Sequence, residues 1–298
     1  MPLEFDIVDV FTDRPYAGNP LAVVHGAWDL STAQCQQIAC EFGFSETAFP
    51  STRILEGREY GTRIFTPERE IPFAGHPTLG TAWALRSRGL LSESECVQVC
   101  GAGRIEVRFD GGHVELAAVP RDLAGPLPEP LVRDLLRQVG LRLCDLSGQA
   151  WVAGCGLSFV HLPVTEEAVV RAVPSGAMSM LLEARLADAA PVEDLLDALN
   201  VYAVSGDAPR LAVHSRVFVP GAGVAEDPAT GSAAAGLGMV LAASGLLPEG
   251  GRYDIVQGIE MGRPSALAAR VEAVGGTAQR CFVAGGVHPV ASGTIAVP

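Results

Sequence analysis

One segment of the chain occurs twice, and that repeat constrains the fold more than any other feature. Arg63-Ile64-Phe65-Thr66-Pro67 returns as Arg216-Val217-Phe218-Val219-Pro220, and each copy runs on into a short polar motif that opens an alanine-rich stretch. The first motif is Gly75-His76-Pro77-Thr78-Leu79-Gly80-Thr81-Ala82; the second is Glu226-Asp227-Pro228-Ala229-Thr230-Gly231-Ser232-Ala233. Aligned on their Pro and Gly, His76 falls opposite Asp227 and Thr81 opposite Ser232. A period of about half the chain means a duplicated domain, not a solenoid of short repeats. Different polar groups at matching positions suggest an asymmetric site between the halves.

Length agrees with the repeat, since 298 residues suggest roughly two domains. Hydrophobic residues make up 48% and charged residues 18%, so each half has the means to bury its own core. The formal charge of −13 argues against nucleic acid, which requires a basic footprint. It leaves room for a small anionic substrate held by local backbone N–H groups. Met1-Pro2-Leu3-Glu4 shows no secretory leader and no apolar run reaches membrane-spanning length, so a cytoplasmic protein with no membrane partner is expected. The seven cysteines are scattered without a C-x-x-C pair, as expected of buried free thiols in a reducing compartment.

The pattern predicts short strands, mostly hairpin-linked, at 5–11, 21–24, 44–49, 60–65, 97–99, 104–109 and 113–118, with Asp110-Gly111-Gly112 as a hairpin turn. A helix capped by Ser31-Thr32 runs to Glu41 and stops at Gly43; another covers Thr78 to Arg88. In the second half, helices are predicted at 131–139, 192–199 and 232–243, and strands at 159–164, 211–219, 270–274, 278–284 and 286–297. Pro120 to Pro130, with its prolines, reads as the linker. Each half therefore has one Ala/Gly/Leu helix that is apolar all round and should be buried. The expected class is α+β: two similar domains, 1–118 and 119–298, each a curled mixed or antiparallel sheet around a central helix, related by a pseudo-twofold duplication.

Three side chains are candidates for chemistry. Glu46 shares a strand face with Phe44 and Ala48, which sets a carboxylate on an apolar surface; desolvation there would raise its pKa and suit it to proton transfer. The same segment also reads as an edge strand whose glutamate points to solvent. His76 stands just before a helix, beside unpaired backbone N–H groups that favour anions, and Pro77 fits the helix start; a plain polar loop histidine is the alternative. Asp227 begins the second helix, where it also serves as an ordinary cap. No dinucleotide fingerprint, P-loop, H-E-x-x-H or G-x-S-x-G occurs, and the histidines lack metal-ligand spacing.

At these residues the chain resembles the PhzF-like phenazine-biosynthesis isomerase family, within the diaminopimelate-epimerase-like fold. The matching pieces are Asp9-Val10-Phe11, Gly18-Asn19-Pro20-Leu21-Ala22-Val23-Val24, Phe44-Ser45-Glu46-Thr47-Ala48-Phe49 and Arg63-Ile64-Phe65-Thr66-Pro67. Phe73-Ala74-Gly75-His76-Pro77-Thr78-Leu79-Gly80 and Glu226-Asp227-Pro228-Ala229-Thr230-Gly231-Ser232-Ala233 complete the set. The resemblance implies a cofactor- and metal-independent isomerase that shifts a proton or double bond on a small carboxylate-bearing substrate in an interdomain cleft. Glu46 is then the acid/base, with His76 and Asp227 beside it. Gly75, Gly231 and Ser232 are substrate-binding, and a homodimer is expected. The epimerase relatives use one cysteine from each half; Ala74-Gly75-His76 and Pro228-Ala229-Thr230-Gly231 contain none, so a two-thiol epimerase is not expected. The alternative reading is a non-catalytic small-molecule-binding or protein-interaction member of the fold.

Overall fold

The computed structural model describes the chain except for Thr52, residues 175–194 and residues 220–224; side chains of 195–197 are likewise not described. Two compact units emerge: Met1–Ala117 together with Ala284–Pro298, and Ala118–Val283.

The first unit is a mixed sheet of β1 (Leu3–Val10), β2 (Asn19–Val24), β3 (Glu46–Pro50), β4 (Glu59–Phe65), β5 (Glu70–Ile71), β6 (Glu95–Cys100), β7 (Gly103–Asp110) and β8 (His113–Ala118). The end of β17 (Thr277–Ile295) joins it, pairing antiparallel to β1 from Leu3↔Ile295 to Val10↔Val287. From there β1–β2 is antiparallel, β2–β3 parallel, β3–β4 antiparallel, β4–β6 parallel and β6–β7 antiparallel, with β5 folded onto β4 as a short flap. Helix α2 (Gly75–Ser87) packs on one face, against β1, β2, β3 and β6. Its Gly80 lies against Val8, Val10 and Leu21, where a Cβ would come within 2.6 Å of Leu21 Cδ2. Helix α1 (Thr32–Phe42) covers the other face through Cys35, Ile38 and Ala39 against Val24, Phe49 and Phe65. It starts at a Ser31–Gln34 capping box and ends at Gly43, whose φ of 63° is the left-handed conformation glycine accepts without strain.

The second unit contains β9 (Asp122–Ala124), β10 (Trp151–Gly154), β11 (Ser158–Pro163), β12 (Leu195–Asp207), β13 (Arg210–Phe218), β14 (Glu226–Asp227), β15 (Gly251–Gln257) and β16 (Ser265–Val274). Its pairings repeat the first set in order and sense: β9–β10 and β10–β11 antiparallel, β11–β12 parallel, β12–β13 antiparallel, β13–β15 parallel, β15–β16 antiparallel, with β14 a flap on β13. Helix α5 (Gly231–Ala243) takes the place of α2, packing against β10, β11 and β16. The opposite face is covered by α3 (Glu129–Gln138) and α4 (Glu166–Arg171), whose Val132, Leu135, Leu136, Ala168 and Val169 bury Val160, Leu162, Leu199, Val201 and Phe218.

The repeated Arg-x-Phe-x-Pro segment proves to be scaffold. Arg63 grips Glu70 of the β5 flap with Nε and Nη2 at 2.8 and 2.7 Å, and Arg216 grips Glu226 of the β14 flap at 2.8 and 2.8 Å. Each guanidinium also lies 5.0 Å from the centroid of the next aromatic ring, Phe65 or Phe218. Bidentate pairing is the strong form of this contact, and it fixes where each flap leaves its strand.

Three expectations change. Helix 192–199 is not formed: from Leu195 onward the chain is β12, while 192–194 lie outside the described residues. Ala198 and Leu199 enter the cores on opposite faces of the sheet, so the strand lacks the polar face that period-two alternation requires. The two closing strands at 278–284 and 286–297 are one strand, β17; Gly285 and Gly286 are not a turn but lie in line beneath Phe11 and Thr12, where no Cβ would fit. Finally, the compact units do not divide the chain at a single point. Ala284–Pro298 belongs with the first unit because β17 completes its sheet beside β1.

Candidate active site

In the first unit the parity of the sheet decides what Glu46 can touch. Leu21 pairs with Glu46 and Val8 with Leu21, so all three point to the α2 face, whereas Phe49 points to α1. Glu46 is half-buried, and its Oε2 lies 3.5 Å from Nε2 of His76, the second residue of α2. This approach is not an ion pair. Burial pushes His76 down to about 3, so its ring is neutral near neutrality, and a hydrogen bond to the Pro20 carbonyl opposes that shift only in part. Nε2 has no hydrogen-bond partner, so the bond to Pro20 belongs to Nδ1–H and Nε2 presents a lone pair to Glu46. Two acceptors facing each other at this separation leave a place for one proton between them. Gly75 opens α2 behind Ala74, which has no side chain to cap the helix.

In the second unit Asp227 is buried on the β14 flap. Its Oδ2 accepts a 2.6 Å hydrogen bond from Thr230 Oγ1. Gly231 and Ser232 follow as the first two residues of α5, and Thr230, although at the N-cap position, makes no side-chain bond to the helix. Gln257, at the end of β15, donates from Nε2 to the Asp227 carbonyl at 2.8 Å and to Thr230 Oγ1 at 3.0 Å. Gln257 stands in no motif of the sequence. The signal was there only in the alternation of 251–257, which would have marked β15.

The register between the halves also needs correction. Glu70-Ile71-Pro72 and Glu226-Asp227-Pro228 occupy the same flap, each on its Arg, and Gly75 and Gly231 each open a helix of 13 residues. His76 therefore stands opposite Ser232, and Asp227 opposite Ile71. Matching Pro77 to Pro228 displaced the alignment by a few residues, because Pro77 lies inside the first turn while Pro228 precedes its helix.

The fold and the site define a sheet-rich α+β enzyme scaffold with few helices and a carboxyl–imidazole pair at a helix start. The chain belongs to the phenazine biosynthesis-like family, whose model matches residues 8–293. It is 36% identical over 294 residues to the trans-2,3-dihydro-3-hydroxyanthranilate isomerase of Pseudomonas chlororaphis, covering 97% of this chain and 98% of that one. The solved phenazine biosynthesis protein of Bacillus anthracis superimposes with a TM-score of 0.82 at 25% identity, covering 100% of both chains. A probable proline racemase from Agrobacterium radiobacter shares the fold at a TM-score of 0.62 and 13% identity, covering 99% of this chain and 93% of that one. The full-length similarity to named isomerases makes this chain an isomerase. Among the described residues no helix is long and apolar enough to cross a membrane, and no group of three His, Cys, Asp or Glu side chains could hold a metal ion.

Proposed function

We propose that the protein moves a proton between two carbons of a small, cyclic, carboxylate-bearing substrate, with Glu46 as the acid/base and no cofactor. The observation that carries this reading is Glu46 Oε2 set 3.5 Å from the neutral, lone-pair-bearing Nε2 of His76 on the α2 face. Glu46 as carboxylate takes the proton from one carbon, and the electron pair moves into the adjacent π system. The now-protonated carboxyl is held by His76 Nε2 and returns the proton to a second carbon as the double bond shifts. Atoms and charge balance within the substrate, and the enzyme ends as it began. Positioned proton transfer of this kind contributes about 10²–10⁴-fold.

Backbone N–H groups at Gly75 and at Gly231–Ser232 are the proposed carboxylate-binding donors, with Asp227 taking a substrate heteroatom proton. The strand pairings repeated in both units support an origin by duplication. The first substrate to try is trans-2,3-dihydro-3-hydroxyanthranilate, the compound named for the Pseudomonas relatives. In ²H₂O the wild type is expected to isomerise it, with NMR reporting where deuterium enters. Glu46→Gln keeps shape and hydrogen bonding but carries no proton, so turnover near the wild-type rate by that variant defeats the assignment.

A further inference from the structure

We infer that Gln257 is a positioning residue for Asp227, acting through Thr230; the inference rests on the reading that Asp227 serves the substrate. Gln257 is 2% exposed and spends its whole amide on one turn. Its two N–H donors go to the Asp227 carbonyl (2.8 Å) and to Thr230 Oγ1 (3.0 Å), and its Oε1 accepts from Thr230 N (3.2 Å). Because Thr230 Oγ1 receives a hydrogen from Gln257, its own hydrogen is aimed at Asp227 Oδ2, 2.6 Å away. The direction of the whole relay is thus set: amide to hydroxyl to carboxylate. It holds Asp227 as an acceptor and fixes which of its two oxygens is engaged. Thr230 gives up ordinary helix capping for this.

The first unit supplies the control. It has the same flap, the same Arg–Glu grip and the same glycine after the strand. Gly101 packs so closely on Pro72 that a Cβ would meet Pro72 Cα at 2.8 Å, and Gly258 does the same against Pro228, whose carbonyl oxygen a Cβ would meet at 2.7 Å. Yet the positions of Asp227, Thr230 and Gln257 are held there by Ile71, Ala74 and Cys100. The scaffold folds this turn without the polar triple. Thr230 and Gln257 appear together with the aspartate in one unit, and Ala74 and Cys100 stand in their places in the unit where Ile71 replaces it.

The test uses the full chain with trans-2,3-dihydro-3-hydroxyanthranilate as the probe. Gln257→Leu and Thr230→Val are each expected to lower kcat by about 10-fold or more with KM changed by less than about threefold, as for a misplaced catalytic group. Thr230→Ser keeps the hydroxyl and is expected to stay within about threefold of wild type. Gln257→Glu gives a signature that a merely structural role does not. Its carboxylate cannot donate to Thr230, but its protonated form can, so its kcat relative to wild type should climb as pH falls through the new carboxyl's titration. If Asp227→Asn keeps wild-type turnover, the reading of Asp227 fails. If Asp227→Asn is inactive while Gln257→Leu turns over normally, this inference alone fails. A crystal structure of Gln257→Leu decides it independently of activity: a displaced Asp227 carboxylate supports the relay, and an unmoved one overturns it.

Discussion

The two units share a scaffold and differ where polar groups stand on it. Both carry the Arg–Glu clamp on the flap, the glycine packed on the flap proline, and a buried helix of 13 residues ending before Gly89 or Gly245. The first unit places Glu46 and His76 on this frame, where the second has Ala198 and Ser232. The second places Asp227, Thr230 and Gln257, where the first has Ile71, Ala74 and Cys100. What repeats in this chain therefore holds structure, and what fails to repeat is where chemistry is to be sought.

The sharpest way to break that comparison is at Glu46. Glu46→Gln is expected to lose about 10²–10⁴-fold in turnover, and adding Ala198→Glu should restore none of it. Ala198 is fully buried against Phe159, Val217 and Ala233, so the transplanted carboxylate instead destabilises its unit, read as a lower urea midpoint.

The clamps come next. Arg216 and Glu226 have side-chain exposures of 8% and 11%, against 20% and 36% for Arg63 and Glu70. Arg216 Nη1 also donates to the Val169 and Val170 carbonyls of α4 and to that of its C-cap residue Ala172 (2.6 Å). Arg216→Met is expected to cost about 3–5 kcal/mol, as for a broken buried pair, and Arg63→Met less than half of that. Equal losses in urea unfolding would mean that burial does not set the difference.

Each unit also buries one histidine beside its central helix. Burial drives His76 down to about 3 and His161 to about 4, both below the ordinary 6.5. The unfolded chain then binds protons that the folded one refuses. Stability from each is complete above about pH 6.5 and falls as pH drops toward the folded value, by up to about 1.4 kcal/mol per pH unit per histidine. His76→Gln should remove about one proton from the slope of stability against pH. An unchanged slope means that His76 takes up its proton alike in both states.

The smallest expected effect contrasts the outer helices. Ser31 caps α1 and Thr165 caps nothing at the start of α4. Ser31→Ala should cost about 1 kcal/mol, and Thr165→Ala no more than about 0.5 kcal/mol.

Much of this was legible in the sequence, for identifiable reasons. The cap at Ser31, the stop at Gly43 and the turn at Gly111–Gly112 are local devices, and each was readable from its own few residues. The buried helices showed as Ala/Gly-rich runs without a polar face. Strand parity and the helix start marked Glu46 and His76 only singly, each with a plain structural alternative; their meeting was suggested by the family resemblance alone. Strand β12 was hidden because both of its faces are covered, which erases alternation. The register of the repeat is hidden in the sequence because identity pairs Pro77 with Pro228 and Gly80 with Gly231, and only the flap pairing reveals that Pro72 corresponds to Pro228. Gln257 was missed because its role exists only in the contacts it makes across 27 positions of the chain.

The pairing of Leu3 with Ile295 has a consequence for synthesis. On a ribosome adding about 5–20 residues per second, β1 emerges with an open edge and waits on the order of 15–60 s for the strand that covers it. Ala118–Val283 is continuous in the chain and needs nothing made later. The half translated first is thus expected to close last, and the open β1 edge is the part of the nascent chain most in need of a chaperone. Pulse proteolysis of stalled chains ending at Val283 should find the second unit resistant and the first one cut.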